Sequence, residues 1–101
     1  MSDKIQIEES SSLVVVKFLD QILDGNSPEL IDTLSTILEK GKPEVHLDLE
    51  KVVIVSSLGI SRLLSFKNKA DEKKIAVKII NIQTKLKETL KKLMLDQFFG
   101  L

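Results

Sequence analysis

The sequence predicts an α/β fold: one domain with a four- to five-stranded mixed sheet and about three amphipathic helices packed mainly on one face. Three observations carry this. Short strand-like runs alternate with stretches of helical periodicity in the order β-β-α-β-α-β-α, which argues for a sheet containing parallel pairs. Each helical stretch has a single apolar stripe, and therefore one face to bury. A chain of 101 residues that is 43% hydrophobic can build one core, and its spacers are too short for a second. The expected domain spans residues 1–101.

The elements follow in order. "KIQIE" (4–8) alternates polar and apolar residues, the mark of a half-buried strand, and "SLVVVKFL" (12–19) is β-branched and apolar, a more buried one. "DQILDGNSPEL" (20–30) contains Gly25, Asn26 and Pro28 and reads as a turn that leads into a helix. Ser27 is the expected N-cap with Pro28 at the first helical position, where a missing N–H costs nothing. Leu30, Ile31, Leu34, Ile37 and Leu38 recur at helical spacing, and Gly41 closes the helix before Pro43.

"EVHLDL" (44–49) places Val45, Leu47 and Leu49 on one face and His46 and Asp48 on the other, a third strand. "VVIV" (52–55) is a strand continuation or a buried connector. From Leu58, the residues Ile60, Leu63, Leu64, Phe66 and Ala70 make a second helix that ends near "DEKK". "IAVKII" (75–80) is a further strand. "TKLKETLKKLML" (84–95) is a third helix, with Thr84 as its expected N-cap and Leu86, Leu90, Leu93 and Met94 as its stripe. The tail "DQFFGL" offers Phe98, Phe99 and Leu101 to the core or to a partner.

Composition narrows function. No run approaches the roughly 18 uninterrupted apolar residues of a membrane span, and "MSDKIQIEES" lacks the basic-then-apolar layout of a secretory signal. Without cysteine, neither disulfides nor a zinc-thiolate site can hold the fold. A cytoplasmic protein is the simplest fit. Residues 1–50 hold four lysines and eleven acids, whereas residues 51–101 hold eleven basic residues and four acids. Those lysines sit mostly where a helix meets solvent, so no direct nucleic-acid contact is expected.

Catalytic chemistry is sparse: one His, one Arg, and no Cys, Tyr or Trp. His46 has no second His with which to share a metal, and reads as an exposed or rim histidine. Asp48 and Glu50 read as strand-end and turn acids, without the convergent geometry of a carboxylate pair. Glycine-rich phosphate loops are absent. The expectation is a protein that is not an enzyme and needs no metal or cofactor.

The serines at 56 and 57 stand apart. An apolar run enters "SSLG" and a helix leaves it, so backbone N–H groups there are unpaired and the helix dipole favours negative charge. A phosphate on a first-turn hydroxyl would be tolerated locally while adding about −1.5 to −2 charge. Local chemistry alone favours an ordinary capping serine, since Ser is a preferred N-cap.

The chain resembles a STAS domain of the bacterial anti-sigma factor antagonist family. The resemblance spans nearly the whole chain and is most specific in "VHLDL" followed by "VSSLGISRLL", with "SPEL" opening the first helix. It implies a partner-switching regulator. Unphosphorylated, such a domain binds an anti-sigma factor that is also a serine/threonine kinase and so frees a sigma factor for transcription; phosphorylation releases it, and a serine phosphatase resets it. Matching on Gly59 places the phosphorylated position at Ser57, with Ser56 where many members carry Asp. Matching on "SPEL" puts Asp20 where relatives often have Gly and Leu23 at their acidic position, with Asp24 one place on. The implied partner surface is Asp24, Asn26, Ser56, Ser57, Leu58, Gly59, Ser61 and Arg62. As candidates for modification, Ser61 and Ser65 read as exposed helical serines, and weak self-association through the apolar tail is a further expectation. The alternative is a non-phosphorylated STAS scaffold, or a soluble partner of a transport or signalling complex.

Overall fold

In the computed structural model, which describes residues 4–101, the chain runs β1 (Ile5–Glu9), β2 (Leu13–Phe18), β3 (Ile22–Leu23), α1 (Pro28–Lys40), β4 (Glu44–Asp48), β5 (Ile54–Val55), α2 (Ser57–Glu72), β6 (Ala76–Ile80) and α3 (Thr84–Lys92). Residues 1–3 of the expected 1–101 domain lie outside the described residues. The main sheet has the order β1-β2-β4-β6. β1 pairs antiparallel with β2, and β2–β4 and β4–β6 are parallel, so the sheet is mixed as expected.

Register explains the core. Val14, Val45 and Val77 lie side by side across three strands, and Val16, Leu47 and Ile79 form the next tier. Both tiers belong to one buried cluster with Leu30, Leu34, Ile37 and Leu38 of α1, Leu63, Phe66 and Ala70 of α2, and Leu86 and Leu90 of α3. All three helices therefore bury their stripes on the same side of the sheet. The other face carries ion pairs, Lys17–Glu8 at 3.1 Å and Lys78–Glu44 at 3.8 Å among them. His46 lies on this face, half-buried and hydrogen-bonded to Glu44. That bond holds the Glu44 carboxyl below its ordinary value against a smaller opposing effect of desolvation, and Lys78 adds to the lowering.

Helix ends follow local chemistry. The Ser27 hydroxyl accepts from Leu30 N at 3.3 Å, and Gly41 closes α1 in the left-handed region at φ 66°. Two expectations about α3 need correcting. Its N-cap is Gln83, without a side-chain cap bond, and Thr84 is the first helical residue. The helix also stops at Lys92, because Met94 turns left-handed (φ 61°) and Leu95 N bonds back to Leu90 O. Leu93 and Met94 consequently leave the stripe, and Met94 is 85% exposed. The tail instead supplies Phe99 to the core, in edge-to-face contact with Phe98 at 5.3 Å.

Asp48 departs from its simple alternation. It is only 6% exposed, and its carboxylate accepts from Glu50 N at 3.0 Å and Asn81 Nδ2 at 3.2 Å. With Gln83 Nε2 donating to Glu50 O at 2.8 Å, these bonds tie the chain after β4 to the chain after β6.

Candidate functional site

β2 and β4 are parallel, so the segments that leave their C-terminal ends emerge at one end of the sheet, where open α/β sheets form binding crevices. Those segments are 19–27 and 49–57. They meet in a two-stranded parallel sheet that turn signals in "DQILDGNSPEL" concealed: β3 pairs with β5, Ile22 opposite Ile54 and Leu23 opposite Val55.

Ser56 locks this junction. It is the N-cap of α2, and its hydroxyl oxygen accepts from Gly59 N at 2.9 Å and Gly25 N at 3.4 Å. The same hydroxyl donates to Leu23 O at 3.4 Å, and Ser56 N donates to Leu23 O at 3.1 Å. Its hydrogen-bonding capacity is thus committed to holding the loop against the helix. Ser57 follows as the first helical residue and is exposed. The first turn of α2 carries no acidic residue, so its unpaired N–H groups and the positive dipole end face outward without local repulsion of an anion.

Both glycines act through close approach. A Cβ on Gly25 would fall 2.5 Å from the Leu58 carbonyl carbon and oxygen, and one on Gly59 would fall 2.4 Å from Leu23 O. Gly59 is buried, and it seats the helix on the loop. Arg62 Nε donates to Gly25 O at 3.1 Å, and Asn26 N donates to Asp24 Oδ1 at 3.1 Å. The structure therefore gathers the loop residues Asp24 and Asn26 and the helix residues Ser56, Ser57, Leu58, Gly59 and Arg62 at one end. Ser61, exposed one turn beyond Ser57, shares its helix face.

Of the apolar part of this surface, sequence reasoning named only Leu58. Ile22 and Ile54 are each 55% exposed, and Leu19, Val53 and Leu58 are exposed around them. "VVIV" reads as a strand continuation or a buried connector, but only Val52 is fully buried, and Val53 and Ile54 face outward. The signal that could have found the patch was a run too short for a full strand with turn chemistry close by. Among the described residues, no three His, Cys, Asp or Glu side chains are grouped to hold a metal ion.

The profile of the STAS domain matches residues 4–101. The chain belongs to the STAS domain family. This STAS domain matches no curated protein by sequence. Its fold is similar to that of an anti-sigma factor antagonist from Mycobacterium paratuberculosis, at TM-score 0.82 and 19% identity over 96% of this chain and 82% of that one. It is also similar to the Bacillus cell-fate determinant SpoIIAA in its phosphorylated form, at TM-score 0.71 and 17% identity over 92% of this chain and 86% of that one. A third likeness is to the murine anion transporter Slc26a9, at TM-score 0.69 and 14% identity over 92% of this chain but 16% of that one. At these identities the likenesses establish the fold. No described helix of the STAS domain is long and apolar enough to cross a membrane.

Proposed function

We propose that this STAS domain is an anti-sigma factor antagonist that works by partner switching. In this reading it binds an anti-sigma factor with serine/threonine kinase activity and is released when Ser57 is phosphorylated. One observation carries the reading: an exposed serine at the first position of α2 borders an apolar patch built on Ile22, Ile54 and Leu58. Large exposed aliphatic residues grouped beside polar ones fit a protein partner better than solvent. A phosphoryl group adds about −1.5 to −2 charge, which the helix end accommodates but a desolvated apolar interface rejects. The division of labour between the serines supports the assignment, because Ser56 is consumed by the cap and Ser57 is not. The solved SpoIIAA structures include phosphorylated and unphosphorylated forms, which fits a domain that keeps its fold through such a switch.

The test is mass spectrometry after incubation with ATP and a candidate anti-sigma kinase. One phosphate mapped to Ser57 and lost in Ser57→Ala supports the proposal; no phosphate, or phosphate elsewhere, defeats it. The likeness to a transporter favours one second reading, a constant partner in a larger assembly. A constant partner would bind equally well as Ser57→Asp.

A further inference from the structure

The two edges of the main sheet are unequal. β1 at one edge carries Gln6, Glu8 and Glu9 among its five residues, which discourages strand addition. β6 at the other edge reads Ala76-Val77-Lys78-Ile79-Ile80 and carries one charge. Its register fixes which main-chain groups are used. Ala76 N donates to Pro43 O at 3.0 Å and Ile80 O accepts from Leu49 N at 3.1 Å, so Ala76, Lys78 and Ile80 turn their N–H and C=O groups toward β4. The N–H and C=O groups of one strand residue point the same way, and alternate residues point oppositely. Val77 and Ile79 therefore direct theirs outward, away from the sheet.

Those outward groups open into a groove of about 460 Å³ between residues 77–80 and the returning tail 97–100, with Lys67 and Phe98 on its wall. Lys67 is already committed, paired with Asp71 at 2.6 Å and seated 5.6 Å from the Phe98 ring centre. Lys78 is held more loosely: its side chain is 64% exposed on the helix-free face, in an ion pair at 3.8 Å with a Glu44 carboxylate that also bonds His46.

We propose that β6 is a strand-addition site for an extended peptide segment of a partner protein, with apolar residues at alternate positions and an acidic residue between them. Two outward N–H and C=O pairs at strand spacing are a template that another extended main chain matches. An added strand would lay its residues opposite Val77 and Ile79 toward the Phe98 wall, where apolar side chains suit. The residue between them would stand opposite Lys78 on the other face, where an acid is complementary. A second copy of this chain fits less well, since two β6 strands paired about their centres oppose Lys78 to Lys78. The site lies apart from Ser57 and does not depend on the switching reading.

The probe is a capped seven-residue peptide of alternating valine and glutamate, with amide hydrogen exchange followed residue by residue. At saturation the Val77 and Ile79 amides should slow by about ten-fold or more, while those of Ala76, Lys78 and Ile80, already paired, stay unchanged. Lys78→Glu, an exposed change, should weaken this peptide at least two- to five-fold, roughly the range for one cross-strand charge pair, and favour the valine–lysine counterpart. Ser57→Ala should leave the protection intact. Unchanged exchange at Val77 and Ile79, indifference to Lys78→Glu, or protection that grows with protein concentration alone would each overturn the proposal, the last in favour of a second copy.

Discussion

The helix-covered face of the sheet and the β3–β5 end are both rich in aliphatic residues, yet they use them oppositely. In the first, Val14, Val45, Val77, Val16, Leu47 and Ile79 interlock in two tiers and are shielded by three helices. In the second, Ile22 and Ile54 stand as register partners with more than half of each exposed. Burial of a large aliphatic side chain is worth about 1.5–3 kcal/mol, so leaving two uncovered forgoes stability that a core position would supply. The comparison teaches that the same residue chemistry makes a core where the neighbouring elements close over it, and an exposed apolar patch where they do not.

Five substitutions break or sharpen this contrast, in falling order of their effect on folding. Leu47→Ala, at the centre of the covered face, should destabilise by about 2–5 kcal/mol in urea unfolding. Gly59→Ala sits at the seam between the regions. The helix propensity it gains, about 1 kcal/mol, is outweighed by the 2.4 Å clash with Leu23 O, and a net loss of roughly 1–3 kcal/mol is expected by thermal melting. Ser56→Ala should cost about 0.5–2 kcal/mol and loosen the 20–27 loop in hydrogen exchange, whereas its neighbour Ser57→Ala should stay within about 0.5 kcal/mol of the parent. Equal costs for the two serines would undo the division of labour assigned to them. Ile22→Ser should barely move the melting temperature but weaken partner binding by more than about 1 kcal/mol in calorimetry, the reverse of the core substitution.

Much of the covered region was legible because its signals are local. Ser27, Pro28 and Gly41 announce the ends of α1 within a few residues of where they act, and the alternation of "EVHLDL" names the buried row directly. The failures share one cause, which is long-range pairing. β3 exists only because Ile22 and Leu23 find Ile54 and Val55 across the fold, and nothing in "DQILDG" itself demands a strand. Asp48 alternates outward, but Asn81 and the Glu50 amide make its burial tolerable. In α3 the stripe continues through Leu93 and Met94, yet the left-handed turn at Met94 sends the chain back so that Phe99 fills the core. At the candidate site, the "SSLG" motif marked the start of α2. It could not say which serine was structural, since that depends on Gly25 and Leu23 arriving from 31 and 33 residues away.

The central claim is that charge on Ser57 decides whether the β3–β5 end can dock. The most direct measurement is the affinity of the anti-sigma kinase for the purified domain in its unphosphorylated and Ser57-phosphorylated forms. The account predicts a loss of about ten-fold or more on phosphorylation, as expected when a charge of nearly two units enters an apolar interface. Equal affinity of the two forms would contradict it and leave Ser57 as the first residue of a helix in a STAS domain that does not switch.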